Sequence, residues 1–403
     1  MHFDWLLLLL AFHFIYYKYS SQQMYAFHTK YPLSHNFKLR LLHKMVVSSV
    51  PRMELELPPK PVQELITATS KEIPERFIYQ LPNKEADDYS DIQYMDSNII
   101  DLSLLNDSSS NLHELELQKL RSVLASWGGF QLINHGVSSS LLHQIREIWK
   151  EFIALPLEVK QKHCRTLDWY EGYGGDKVSE DQRYNWNDRL RFKVHPLHQR
   201  NYKIWPEFLP TFRETLEGYT MEVTRVLEVI LKATAKSLNL EESSFLNACG
   251  GKDGIHMFTR FNFYPPCHSP EHVLGIKPHS DGSAVTILLQ DSEVEGLQVE
   301  KDNQWFKVPI VPDALFINIG DQLEITSNGI LKSVVHKVVI DKERGRTSVA
   351  MFCAPHPDKD IGPLCELIDK ERPQLYNTVK NYFGDLFFQY YPKGERSIST
   401  VKL

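Results

Sequence analysis

The 403-residue chain reads as a mainly β core, a double-stranded β-helix or jelly roll, with flanking α-helices that include an N-terminal helical region and a C-terminal helix. Three observations carry that expectation. From Met257 onward the apolar period is two, and FTRFNFYPP, AVTILLQ, GLQVEK, QWFKVPI, ALFINIG, SVVHKVVI and TSVAMFCAP follow as short strands between Gly, Asp, Asn and Pro turns. Before them, leucines at helical spacing mark Leu112–Ala125, Leu141–Phe152 and Pro210–Leu240. After them, Pro373–Phe388 opens with proline and places Leu375, Tyr376, Val379, Phe383 and Leu386 for burial as a terminal helix.

Each element has a local cause. Trp127-Gly128-Gly129 stops the first helix, Phe130–Asn134 is a strand, and His135-Gly136 turns the chain. Ser138–Ser140 leads into the second helix. The polar lead-in from Pro58 to Asn98 holds one short helix around Val62–Ser70. Trp5–Tyr17 is a short apolar run, well under the roughly 20 residues of a membrane span. It lacks the basic residues and the cleavage site of a signal peptide, so residues before Met45 read as an over-extended start or a dispensable tail. Membrane contact is expected only if that run is a real anchor. A net charge of −6, with basic and acidic residues interspersed, gives no nucleic-acid footprint. The five cysteines are scattered with no C-x-x-C pair, which points to reduced thiols and a cytoplasmic setting.

The chemistry begins at KPHSDGS, Lys277–Ser283. His279 and Asp281 share a face if that segment is extended, either as a buried hydrogen-bonded pair or as two ligands of one metal. His336, in SVVHKVVI, lies on a later strand and is the better third ligand; His356, flanked by Pro355 and Pro357, is a loop residue. Two histidines and a carboxylate make the facial triad of a non-haem Fe(II) site. Zinc is compatible with the ligands but leaves the next feature unexplained. Ten residues past His336, Arg346 and Ser348 share a strand face, and an inward guanidinium with no obvious inward Asp or Glu partner calls for a carboxylate ligand.

FNFYPPC, GIKPHSDGSAVTILLQD, INIGDQLEITSNGILKSVVHK, RTSVAMF and the upstream WGGFQLINHG together resemble the plant soluble 2-oxoglutarate- and Fe(II)-dependent dioxygenases, over about Asn98 to Tyr391. The resemblance implies Fe(II) on His279, Asp281 and His336, with the distal carboxylate of 2-oxoglutarate on Arg346 and Ser348. It implies that Tyr264 reaches the same carboxylate, that Asn262 sits beside it, and that Phe352 and Arg260 line the substrate pocket. It implies an oxidoreductase that hydroxylates or O-demethylates a small apolar plant metabolite with O2, releasing succinate and CO2, with ascorbate as activator and no oligomer required. Trp186 and Phe192 resemble a family segment and are expected around the barrel mouth. The implied organisation is an extension over residues 1–52, an N-terminal dioxygenase region over 53–250, a catalytic jelly roll over 251–360, and a C-terminal helix and tail over 361–403. Two departures stand out: Gly129 where an aromatic is commoner, and Ala354 where some flavonoid-oxidising members are acidic. The competing readings are an Fe(II) oxidase of the same fold that does without 2-oxoglutarate, and a non-oxidative small-molecule receptor or condensing enzyme on the scaffold.

Overall fold

The computed structural model describes residues 55–56, 60–67, 72–79, 92–96, 98–165 and 171–403. The expectations for the N-terminal apolar run and the alternative starts therefore lie outside the described residues. Twelve strands form two facing sheets. In chain order they are β1 (Ile99–Asp101), β2 (Gly129–Ile133), β3 (Gly172–Gly174), β4 (Asp188–His195), β5 (His256–Tyr264) and β6 (Ile276–His279). They continue as β7 (Val285–Leu289), β8 (Leu297–Lys301), β9 (Gln304–Lys307), β10 (Leu315–Ile319), β11 (His336–Val338) and β12 (Arg346–Ala354). The large sheet runs β1-β2-β10-β7-β12-β5-β4-β3, antiparallel except for the β1–β2 pair. The small sheet runs β9-β8-β11-β6 and is antiparallel throughout. This is the jelly roll that the period-two pattern predicts.

Alternation along β5 separates two faces. Met257, Thr259 and Phe261 point outward to the helices; His256, Phe258, Arg260, Asn262 and Tyr264 occupy the other face. Helix α1 (His113–Ser126), α2 (Ser139–Ala154) and α3 (Phe212–Ser237) cover the molecule with their apolar stripes. Phe261 meets Trp149 of α2 at 5.5 Å and Phe212 of α3 at 5.8 Å between ring centroids. The Trp149 indole N–H donates to the Asn262 carbonyl at 2.8 Å, which fixes the helix against the strand carrying the inner face. The Ser138 side chain caps α2 by accepting from Leu141 N. After α1, Gly128 takes φ +66°, and a Cβ there would run into the Lys332 carbonyl, so only glycine turns this corner.

Two expectations need correction. The C-terminal helix does not start at Pro373: helical structure is limited to Tyr382–Phe387, a π-type segment, and the short turns after it. The Asn328 side chain accepts from Leu375 N at 2.8 Å and donates to the Pro373 carbonyl at 3.1 Å, which competes with the helical ladder and leaves Leu375 exposed. Phe192 is not at the barrel mouth. It lies on the outer face of β4 against Phe212 and Trp205, so its neighbours Arg189 and Arg191 share the inner face instead. Trp186 is buried against Phe77 and donates to the Pro265 carbonyl.

The packing of α2 on β5 predicts that Trp149→Ala destabilises the chain by about 3–5 kcal/mol, the usual cost of a large buried aromatic. Urea unfolding followed by circular dichroism measures it; a loss under about 1 kcal/mol contradicts the assigned role.

Candidate functional site

The small sheet brings the distant histidines together. β6 and β11 pair in a register that sets His279 directly opposite His336, and their ring centroids lie 4.3 Å apart. Asp281 follows β6 immediately. Its Oδ1 stands 3.6 Å from His279 Nε2 and 3.7 Å from His336 Nε2. One donor atom from each of the three residues lies within 4.8 Å of the others, a grouping able to hold a metal ion.

The surroundings orient every donor. His279 Nδ1 contacts the Lys277 carbonyl at 2.9 Å and His336 Nδ1 the Val334 carbonyl at 3.2 Å. Each ring therefore carries its proton on Nδ1 and turns the Nε2 lone pair to the centre. Asp281 is buried, and its Oδ2 accepts from Thr286 Oγ1 at 2.6 Å and Asn318 Nδ2 at 2.8 Å. Only Oδ1 is left for the centre. Burial, reinforced by His279, pushes His336 down to about 4, so it is a neutral ligand at physiological pH.

Arg346 opens β12 and pairs in register with Tyr264, while Ser348 pairs with Asn262. All four are buried. Arg346 Nε and Nη1 have no hydrogen-bond partner in this site, a costly arrangement for a buried guanidinium unless an anion fills it. The backbone leaves space beside it: a Cβ on Gly296 would come 3.0 Å from Arg346 Cδ and 2.8 Å from the Val339 carbonyl. Burial raises the Tyr264 phenol, which keeps its proton available for donation. These orphaned donors, beside a two-histidine, one-carboxylate centre, fit an Fe(II) ion with a dicarboxylate cosubstrate.

Asn262 does not point freely toward the centre. It links two neighbours, accepting from Arg260 Nε at 2.6 Å and donating to Ser348 Oγ at 3.3 Å. Arg260 also pairs with Asp176 at 2.8 Å, and Arg189 pairs with the same carboxylate at 2.8 Å. Burial would raise Asp176, but Arg260, Arg189 and Arg165 hold it well below the usual carboxylate range. Phe352 and Arg260 line a small cavity with His279, Asp281 and Phe387. Sequence reasoning missed Asp176, Arg191, Thr286 and Asn318. For Asn318 a signal existed: it is the one polar residue inside the apolar run of β10, LFINI.

Residues 255–355 match the 2OG-Fe(II) oxygenase superfamily, and residues 98–208 match the family described as the N-terminal part of the non-haem dioxygenase in morphine synthesis. Jasmonate-induced oxygenase 4 of Arabidopsis thaliana is 40% identical over 289 residues, 71% of this chain and 82% of that protein. Codeine O-demethylase of Papaver somniferum is 39% identical over 319 residues, 78% of this chain and 88% of that protein. The crystal structure of JOX2 in complex with 2OG, Fe and JA superposes with a TM-score of 0.76 at 34% identity, covering 86% of this chain and 98% of that one. The paired histidines, the orphaned arginine and these likenesses agree, and the chain belongs to the plant 2-oxoglutarate- and Fe(II)-dependent dioxygenases.

Proposed function

We propose that the chain hydroxylates or O-demethylates a small, largely apolar metabolite, with His279, Asp281 and His336 as the iron ligands and Arg346, Ser348 and Tyr264 as the seat of 2-oxoglutarate. The observation that carries this reading is the juxtaposition of the triad with a buried arginine whose Nε and Nη1 lack partners. Bound there, Fe(II) and 2-oxoglutarate supply the oxidising chemistry: O2 is consumed, succinate and CO2 leave, and one oxygen atom enters a substrate C–H bond. Insertion at an O-methyl group gives a hemiacetal that collapses to an alcohol and formaldehyde. Ascorbate serves to keep the metal ferrous.

The protein's share is placement. Thr286 and Asn318 hold Asp281 to one free oxygen, and the Lys277 and Val334 carbonyls fix both imidazole tautomers. Asn262 steadies Ser348 on one side and Arg260 on the other. Phe352 and Phe387 supply apolar wall beside His279 and keep water from the reacting carbon. JOX2 with JA bound and codeine O-demethylase, both in the same family, support a small organic substrate for this site. No helix among the described residues is long and apolar enough to cross a membrane.

A panel of plant metabolites incubated with the chain, Fe(II), ascorbate and 2-oxoglutarate is expected to give substrate-dependent succinate in stoichiometry with product. Product without succinate sinks the cosubstrate assignment. Arg346→Gln is expected to raise the KM for 2-oxoglutarate on the order of 100-fold, since a charge-assisted bidentate contact is lost, with the organic substrate's KM little changed. Independently of turnover, anaerobic titration with Co(II) is expected to show roughly 10–100-fold weaker metal binding in Asn318→Ala. Unchanged affinity there means that Asp281 does not depend on its Oδ2 donors.

A further inference from the structure

The inner face of β4 carries a cation that the chemistry above does not use. Arg191 pairs in register with Arg260 on one side and Gly172 on the other, and it is 7% exposed. Its guanidinium carbon lies 4.8 Å from the ring centroid of Phe258, 5.6 Å from Phe383 and 5.5 Å from Phe388. Those ring faces offset part of its desolvation. They cannot satisfy its N–H groups, and Nε has no hydrogen-bond partner. The acids nearby are engaged elsewhere. Asp176 serves Arg189 and Arg260, and Glu171 accepts from Lys193 N at 2.6 Å. Among the described residues no carboxylate forms an ion pair with Arg191. Burial, with Arg189 and Arg260 nearby, pushes it down to about 9, so it is still charged at neutral pH.

2-Oxoglutarate is not the missing anion. Its arginine, Arg346, sits opposite Tyr264, whereas Arg191 sits across β5 opposite Arg260, four residues or about 13 Å further along that strand. Arg191 instead borders two cavities at once. One holds His279, Asp281 and Phe352; the other, of about 290 Å³, holds Phe258, Ala354 and Tyr382; Phe383 and Phe388 line both. A ligand anchored at Arg191 can thus lay an apolar body on the phenylalanines and extend to the metal centre.

We propose that the substrate is an apolar carboxylic acid whose carboxylate is bound by Arg191 and whose body packs on Phe258, Phe383 and Phe388. The planar guanidinium fork matches a carboxylate, and Lys193, over the same Phe258 ring at 5.4 Å, adds positive charge beside it. This rests on the oxidative reading of the site and narrows its substrate from an apolar metabolite to an apolar acid.

The test is anaerobic calorimetry on the chain loaded with Fe(II) and 2-oxoglutarate, which needs no turnover. The probes are 4-phenylbutanoate, cyclohexylacetate and decanoate, each against its primary amide, with phenyl phosphate as the rival anion. At least one acid is expected to bind about 10-fold or more tighter than its amide. Arg191→Gln should abolish that preference and Arg191→Lys should restore part of it, while 2-oxoglutarate affinity stays at the parent value in both as the control for folding. Amides binding as well as acids, no acid binding, phenyl phosphate binding more tightly than the acids, or a preference that survives Arg191→Gln each overturns the proposal. The acid that binds most tightly is then incubated in air, and binding without substrate-dependent succinate there overturns the oxidative reading instead.

Discussion

Everything at the centre depends on how one buried carboxylate is held. Asp281 has two oxygens and four suitors: Thr286 and Asn318 take Oδ2, while His279 and His336 face Oδ1. A carboxylate is stable at this depth only if both oxygens are satisfied. The imidazoles turn Nε2 to the centre, since their Nδ1 protons are directed to backbone carbonyls. Repulsion between the Nε2 lone pairs and Oδ1 is relieved by a cation among the three. The hydrogen-bond pattern thus asks for a metal before any family likeness is considered.

The large sheet then sorts chemistry by distance along its strands. On the inner face of β5 and β12, Tyr264 and Arg346 are partners at one end, and Phe258 and Phe352 are partners further along. Between them, Asn262 and Arg260 form a bridge that ties Ser348 to Asp176. A two-residue period keeps all of these on one side, so a single-residue register slip would replace them with Phe261 and Val349. The helices oppose such a slip by gripping the outer face through Trp149 and Phe212.

Much of this was legible in the sequence, for definable reasons. His336, Arg346 and Ser348 are polar residues at strand spacing in apolar runs, where period-two alternation puts them inward, and His279 and Asp281 stand two apart just before the apolar run AVTILL. The helices were legible to within two or three residues at their ends, because their leucine stripes are long. Arg191 and Asp176 were not legible. They lie in a polar stretch, YGGDKVSEDQRYNWNDRLRFKV, where charged residues look like solvated surface until β4 is paired with β5. The segment from Pro373 misled because apolar spacing cannot register a competing side chain such as Asn328, 45 residues away in sequence.

The C-terminal segment, which looked like a helical afterthought, is bound into the support of the triad. Asp321 N donates to the Asp281 carbonyl at 2.8 Å, and the Asp321 carboxylate accepts from Ser333 Oγ and from the Tyr382 hydroxyl, each at 2.7 Å. Glu324 takes Ser333 N and the Tyr376 hydroxyl in the same manner. Arg396 reaches Ser280 Oγ at 3.4 Å and the Ser333 carbonyl at 3.2 Å, joining the residue before Asp281 to the segment that leads into His336. Neither ligand arm is therefore held by the jelly roll alone. Because these groups are buried and mutually satisfied, losing one leaves its partners unpaired, and the cost falls on the backbone beside the ligands. Tyr376 and Tyr382 are thus fixed by polar contacts behind the metal centre while Phe383 and Phe388, immediately along the chain, line the cavities beside it. One segment braces the triad from behind and walls the pocket in front, which is why its conformation follows the hydrogen bonds rather than the helical pattern.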